Sequence, residues 1–314
     1  MSTIDILKWF SDLLYDRGKA ENTIKSYFRI IRAFLLYVNQ SGMDWDQVSS
    51  IDMQEWRIWS IRQGISAATI NQRIAAVKYF YSEAGKAGLC SINPAKEIRG
   101  VSLAAIAPKW MEKSSVRKLK KAMLDRIERV DSRRAPKDIT PSARYARRDR
   151  AIVLLMLCAG LRVGEVVSLL LSDLTINPRG GEVRIREGKG RRSRVVPLNL
   201  ELRKALQDWI DYHPALTVDM WNDNGGWLFV SAKGRLLDRG VQVAVKRCLR
   251  LAGLNGVTVS AHTLRHTCAK MMLDQGVPLT EVSMILGHAN LSTTAIYTVP
   301  SKDDLQSAVE KISY

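Results

Sequence analysis

The chain has 314 residues, 46% of them hydrophobic and 25% charged, a length that suggests two domains and a composition that excludes wholesale disorder. Its 48 lysines and arginines against 31 acidic residues leave a net charge of +17, a surplus suited to a polyanionic partner. The longest apolar run, Ala151 to Leu161, is too short to span a bilayer, and Lys8-Trp9-Phe10-Ser11-Asp12 lacks the pattern of a signal peptide.

Residues 3–17, 22–40, 50–63 and 66–85 are predicted helices. The second carries Ile24, Tyr27, Phe28, Ile31, Phe34, Leu35 and Val38, the spacing of a buried stripe. The fourth opens on Ser66 as N-cap and continues with Ile70, Ile74, Val77, Phe80 and Tyr81. Gly18, Gly42, Gly64 and Gly85 are expected to close the four segments. Residues 95–113 have no helical period and contain Pro108, so they read as a linker between domains. A basic stretch follows: residues 109–150 hold 15 basic and 6 acidic side chains, whereas residues 1–107 hold 13 and 10. Within it Val116 to Val130 reads as a helix, too charged around its circumference to lay an apolar face on a membrane. Asp131 to Tyr145, with Pro136 and Pro141, reads as a loop without an assigned role.

Ala151 to Cys158 is predicted as a buried helix stopped at Ala159-Gly160, and Leu161-Arg162-Val163-Gly164-Glu165-Val166-Val167 follows. Arg162 falls among apolar neighbours, where a cation needs an anionic partner. Glu165 can be that partner structurally, and a phosphate functionally. Residues 182–186 alternate in polarity, Gly188-Lys189-Gly190 turns the chain, and Arg194-Val195-Val196-Pro197 returns, which makes a β-hairpin. The tip is too short for a nucleotide-binding P-loop. Val241 to Ala252 is a further amphipathic helix. Three of the four histidines then gather in a short C-terminal segment: His262 and His266 in Ala261-His262-Thr263-Leu264-Arg265-His266, and His288 in Leu286-Gly287-His288, with Tyr297 nine residues on. Imidazoles, a guanidinium and a phenol suit charge stabilisation, proton transfer and nucleophilic attack at an anion. A zinc site on His262 and His266 is disfavoured, because Thr263 stands where a zincin has its glutamate and no carboxylate follows closely as a third ligand. No metal is expected. Cys90, Cys158, Cys248 and Cys268 form no CxxC pair and read as reduced thiols, so a cytoplasmic location is expected.

The blocks H-x-L-R-H, L-G-H and the following Tyr, with G-L-R-x-x-E and the G-K-G hairpin before them, resemble those of the tyrosine recombinases, the phage-integrase family. The run Ser66 to Ile74 and Asn93-Pro94 extend the likeness into the N-terminal half. The resemblance implies a mainly α fold with a small antiparallel β-sheet. A four-helix SAM-like core-binding domain over residues 1–94 would precede the linker and a mixed α/β catalytic domain over 114–314. It implies Arg162, Lys189, His262, Arg265, His288 and the nucleophile Tyr297 as the catalytic set, with Glu165 and His266 supporting. Lys25, Arg29, Arg32, Arg73 and Lys78 become candidate DNA contacts, from two helices that the family lays in the major groove. The implied chemistry is strand cleavage through a 3′-phosphotyrosine, which keeps the phosphodiester's energy and needs neither ATP nor a metal ion. The implied partner is a double-stranded DNA core site, bound by a synaptic tetramer of this protein alone or with a paralogous recombinase in the nucleoid. Residues 302–312, with Leu305, Ala308, Val309 and Ile312 on one face, would form an exchange helix that docks on a neighbouring subunit. Without a preceding arm-binding domain, a Xer-like or transposon-borne enzyme is the expected type. A type IB topoisomerase and a DNA-binding regulator on a recombinase scaffold remain the alternatives.

Overall fold

The computed structural model describes residues 2–102, 109–132, 140–186, 193–212, 226–232, 234–254, 259–288, 290–298 and 309–310. The chain divides into two compact units, Met1–Ile106 and Ala107–Tyr314. In the first, α1 (Thr3–Asp16), α2 (Glu21–Gln40), α3 (Ser50–Arg62) and α4 (Ala67–Lys86) form a helical bundle. Three of the four starts are capped by a serine; α2 follows Ala20 with no side-chain cap. Ser2 and Ser49 cap the amides of Asp5 and Asp52 and are capped back by those carboxylates, and Ser66 accepts from the Thr69 amide. The apolar faces meet in a core that includes Phe10, Ile31, Phe34, Trp56, Ile74, Val77, Phe80 and Tyr81. Edge-to-face rings fasten it: Phe10 and Phe80 lie 5.2 Å apart, Phe34 and Trp56 5.1 Å. The buried Tyr81 hydroxyl donates to the Trp45 carbonyl at 2.6 Å. The predicted stripe of α2 is buried except at Tyr27 and Phe28, which are half-buried.

Two sequence expectations need correction in this unit. Gly85 lies inside α4; the helix is closed by Gly88, whose φ of 71° suits a residue without a Cβ. Residues 95–101 are not free linker. Ala95 and Ile98 are buried in the bundle core, and the Asn71 side chain grips Val101 at both its amide (2.7 Å) and its carbonyl (2.9 Å).

The second unit is built around α6 (Pro141–Cys158), in which every residue from Ala151 to Leu157 is buried. A helix apolar all round must be covered on all sides. Here α5 (Lys113–Asp131), α7 (Val163–Ser168), α8 (Leu200–Asp211), α9 (Asp238–Leu251) and α10 (Ala261–Asp274) pack on it. Strands β1 (Leu174–Ile176), β2 (Gly181–Ile185) and β3 (Arg194–Pro197) form an antiparallel sheet in that order, with Val183 opposite Val196. β4 (Val230–Ser231) and β5 (Gly234–Arg235) make a small hairpin, and α11 (Leu279–Leu286) and α12 (Ser292–Ala295) end the described fold. The hairpin tip, residues 187–192 with Lys189, lies outside the described residues, as does the expected helix 302–312 except for residues 309 and 310.

The expected loop 131–145 is shorter than its prolines suggested. Pro141 sits in the first turn of α6, where its missing N–H costs nothing, and Thr140 caps the Ala143 amide. Met111, in the expected linker, is buried in the second core, and its amide donates to Thr267 Oγ1 at 2.9 Å. Deep in this unit the fully buried Asp149 of α6 gathers Arg126 of α5 (2.9 Å), Arg148 (3.0 Å) and Arg247 of α9 (2.8 Å). Removing the carboxylate would strand the buried Arg148 and leave three neighbouring like charges without their shared partner. Asp149→Ala is therefore expected to destabilise the protein by about 3–5 kcal/mol, measured as a fall in the urea midpoint, whereas an exposed control such as Asp12→Ala should leave it nearly unchanged.

Candidate active site

Arg162 is the N-cap of α7, and Glu165, three residues on, turns back to accept its backbone N–H at 2.8 Å. The same carboxylate accepts from Arg162 Nη1 at 2.9 Å. Arg194, the first residue of β3, places Nη1 and Nη2 on the two Glu165 oxygens at 3.1 and 2.9 Å and donates Nε to the Ile285 carbonyl at 2.8 Å. Arg265, in α10, is buried; it donates Nη2 to the Leu286 carbonyl at 2.6 Å and Nη1 to the Gly160 carbonyl. Three guanidiniums thus meet at the carbonyl end of α11, the negative pole of that helix.

Two glycines make the approach geometrically feasible. Gly287 ends α11 in the left-handed conformation (φ 63°), and a Cβ there would fall 2.7 Å from Arg194 Nη1. Gly160 also has positive φ, 65°, and a Cβ on it would collide with the Leu286 side chain.

The electrostatics follow from burial and charge. Burial alone would raise the Glu165 carboxyl, but the Arg194 fork, the Arg162 amide and the two cations outweigh it and leave it at about 2. Burial, then the Arg162 charge, brings Arg265 down to about 10, so it stays protonated at neutral pH. His288 binds Thr294 Oγ1 through Nδ1 at 2.8 Å; burial and the charges of Arg265, Arg162 and Arg194 push it down to about 4, so its ring is neutral.

Tyr297 is 2% exposed and sits in a small apolar cluster with Ala269, Val282 and Leu286. Its hydroxyl meets His266 Nδ1 at 2.5 Å. Burial raises the phenol's pKa, and the charges of Arg265 and Arg162 oppose that rise. Burial, then the His262 and Arg265 charges, lowers His266. His262 itself is exposed in the first turn of α10. In this conformation the imidazole beside the phenol is that of His266.

Arg162, Glu165, Arg265 and His288 come together as the sequence suggested, with Tyr297 held beside them through His266. Lys189 lies outside the described residues. Arg194 and Thr294 were missed. A signal existed for Arg194: Val196 is buried and Val195 exposed, so strand periodicity turns Arg194 to the inner face. Among the candidate DNA contacts, Lys25, Arg29 and Arg32 are exposed along α2, with Lys25 paired to Glu21 at 2.6 Å, while Arg73 and Lys78 are half-buried on α4.

The chain matches the model of the phage integrase family over residues 130–303 and that of the phage integrase N-terminal SAM-like domain over residues 6–88. It is 32% identical to the tyrosine recombinase XerC of Shewanella amazonensis over 288 residues, covering 91% of this chain and 88% of that protein. It is 30% identical to the tyrosine recombinase XerD of Ralstonia nicotianae over 310 residues, 98% and 93% of the two chains. Among solved structures, the XerH site-specific recombinase bound to a palindromic difH substrate superposes with a TM-score of 0.73 at 23% identity, over 95% of this chain and 84% of that one. The Tn1549 transposon integrase in complex with a circular intermediate DNA gives 0.68 at 17%, over 98% and 99%.

The buried titrating groups set a pH signature. Unfolded, His288 takes a proton near its ordinary 6.5, but the fold resists until about 4, so protons favour the unfolded chain between those values. Glu165 adds stability above its ordinary 4.5 that is lost as pH falls toward about 2. The melting temperature should therefore drop as pH falls from about 6.5 to about 4, and His288→Gln should flatten that part of the curve, as calorimetry at stepped pH would read.

Proposed function

The chain belongs to the phage integrase family, and from that premise we propose how its own residues carry out site-specific tyrosine recombination. The protein is a DNA strand-breaking and rejoining enzyme with a tyrosine nucleophile. The observation that supports the assignment of residues is the convergence of Arg162, Arg265 and His288 at one helix end, with the Tyr297 phenol held beside them.

Attack on a phosphodiester adds negative charge to the non-bridging oxygens. Arg162 and Arg265 offer those oxygens charged, fork-shaped donors, and neutral His288 offers one more through the ring nitrogen opposite Thr294. Tyr297 Oη forms a bond to phosphorus, the bond from phosphorus to the 5′ oxygen breaks, and the strand is left joined to the enzyme as a 3′-phosphotyrosine. Lys189 gives the departing oxygen its proton. The phenol's proton passes to an imidazole of α10: His266 holds the hydroxyl at rest, and His262 takes the proton once the phenol has moved to DNA. Rejoining reverses these steps with a new 5′-hydroxyl as the nucleophile. At rest the phenol lies below the surface, so DNA binding must draw Tyr297 away from His266 before cleavage.

The two helices α2 and α4 supply phosphate and base contacts through Lys25, Arg29, Arg32, Arg73 and Lys78. The active assembly is a tetramer on paired core sites, made of this chain alone or with a paralogue, acting in the cytoplasm of a bacterial or mobile-element host.

A nicked suicide duplex tests this reading. The wild-type protein should become covalently attached to DNA, seen as a shifted band that survives denaturant. Tyr297→Phe should give no adduct yet bind DNA with an unchanged, steep salt dependence. Arg265→Ala should form the adduct about 10²- to 10³-fold more slowly. An adduct from Tyr297→Phe would overturn the assignment.

A further inference from the structure

The three guanidiniums around Glu165 do not share it equally. Arg194 takes both carboxylate oxygens in a fork and donates its third nitrogen, Nε, to the Ile285 carbonyl. Arg162 reaches a single oxygen with its side chain, and among the described residues its other side-chain contacts are long ones, 3.4 Å to each of the Leu286 and Gly287 carbonyls. Arg265 stands 3.9 Å from the carboxylate and is committed to the Gly160 and Leu286 carbonyls. The side chains are 11% exposed for Arg194 and 23% for Arg162. Arg194 is the structural cation of the group, and Arg162 is the one with access to an incoming anion.

A carboxylate and a guanidinium pair best through two parallel bonds. Glu165 lies three residues from Arg162 on the same turn and already holds its backbone N–H and its Nη1, so a competitor for the two oxygens limits how much of the carboxylate Arg162 receives. We propose that Arg194 is a positioning residue for strand cleavage: by sharing both oxygens of Glu165 it limits that carboxylate to a single bond with the Arg162 guanidinium and leaves the rest of that guanidinium aimed at the scissile phosphate. The proposal rests on the active-site reading above and adds a residue to it. The mount is rigid. Arg194 heads β3, whose register with β2 is fixed from Ile185↔Arg194 onward, and Gly287 gives its guanidinium the space it fills. Lysine could keep the charge there but could not form the fork.

The test uses single-turnover adduct formation on a nicked duplex whose core site has been selected by the protein from a random duplex library. Arg194→Ala should slow cleavage by about 10- to 100-fold, the usual range for a residue that orients a reactive group, while DNA affinity stays within about twofold. Arg194→Lys should recover less than half of that loss on a logarithmic scale. In a Glu165→Gln background the further loss from Arg194→Ala should shrink to about threefold or less, because the two act through one contact. Cleavage by Arg194→Ala at the wild-type rate, a loss confined to DNA affinity, or full additivity with Glu165→Gln would each overturn the proposal. If Arg194→Ala does not fold, Arg194→Lys decides alone: wild-type cleavage overturns the proposal and slow cleavage with intact affinity supports it. Arg162→Ala and Tyr297→Phe run beside these variants. If they still form the adduct, the active-site reading itself fails; if they do not, a negative result at Arg194 concerns Arg194 alone.

Discussion

One carboxylate holds the catalytic unit's chemistry in place. Glu165 is bonded to Arg162 and Arg194 and stands 3.9 Å from Arg265, and the carbonyls at the end of α11 supply the rest of the negative charge. Three like charges at such range repel, and a single carboxylate offsets only part of that repulsion. The surplus positive field appears in the neighbouring groups: it helps keep His288 uncharged and works against the burial that raises the Tyr297 phenol. The place is electrostatically incomplete, with cationic charge left over for an anion such as the phosphate of the proposed reaction.

The scaffold that carries this cluster uses the same principle at its other end. Helix α6 carries the Asp149 cluster near its middle and ends at Cys158, two residues before Gly160, whose carbonyl receives Arg265. The eleven steps from Asp149 to Gly160 span roughly 16 Å at helical rise. Both limits of this stretch are therefore pinned by arginines from other elements: Arg126 and Arg247 at one, Arg265 at the other. Between them the helix is buried on every side, so a shift of one cluster cannot be absorbed by sliding alone. This is why residues far apart in sequence, at 162, 194, 265 and 288, can be held to fixed positions.

Much of this was legible beforehand because local rules govern it. The Ser66 cap, the apolar stripes and the hairpin's alternation located the bundle helices and the two longer strands of the sheet to within a few residues, whereas α6 begins ten residues before its expected start at Ala151. The site was legible through its rare residue types, since three histidines near one arginine and one tyrosine form a conspicuous pattern in a chain with four histidines. What escaped notice depends on tertiary placement. Arg194 looks like one more basic residue after a turn, and only its inward face and the distant Glu165 give it a role. Pro141 looked like a loop residue because a proline that opens a helix and a proline that prevents one are the same letter. The linker limits were misplaced because the Asn71 clamp on Val101 and the Thr267 bond to Met111 join residues 30 and 156 positions apart. Which imidazole of α10 meets Tyr297 was not legible, because His262 and His266 are one helical turn apart and sequence cannot say which turn faces the phenol.

The lodging of Tyr297 has a consequence for a protein that meets far more DNA than it should cut. Withdrawing the ring exposes an aromatic surface, about 1.5–3 kcal/mol, and breaks its bond to His266, about 0.5–1.5 kcal/mol. Together that is roughly 2–4.5 kcal/mol, a handicap of about 30- to 1,000-fold or somewhat more at every casual encounter. In the proposed role of Tyr297 as nucleophile, only a duplex that grips the enzyme well enough to offset that sum draws the phenol out. Fidelity would then be written partly into the apolar crevice of Ala269, Val282 and Leu286.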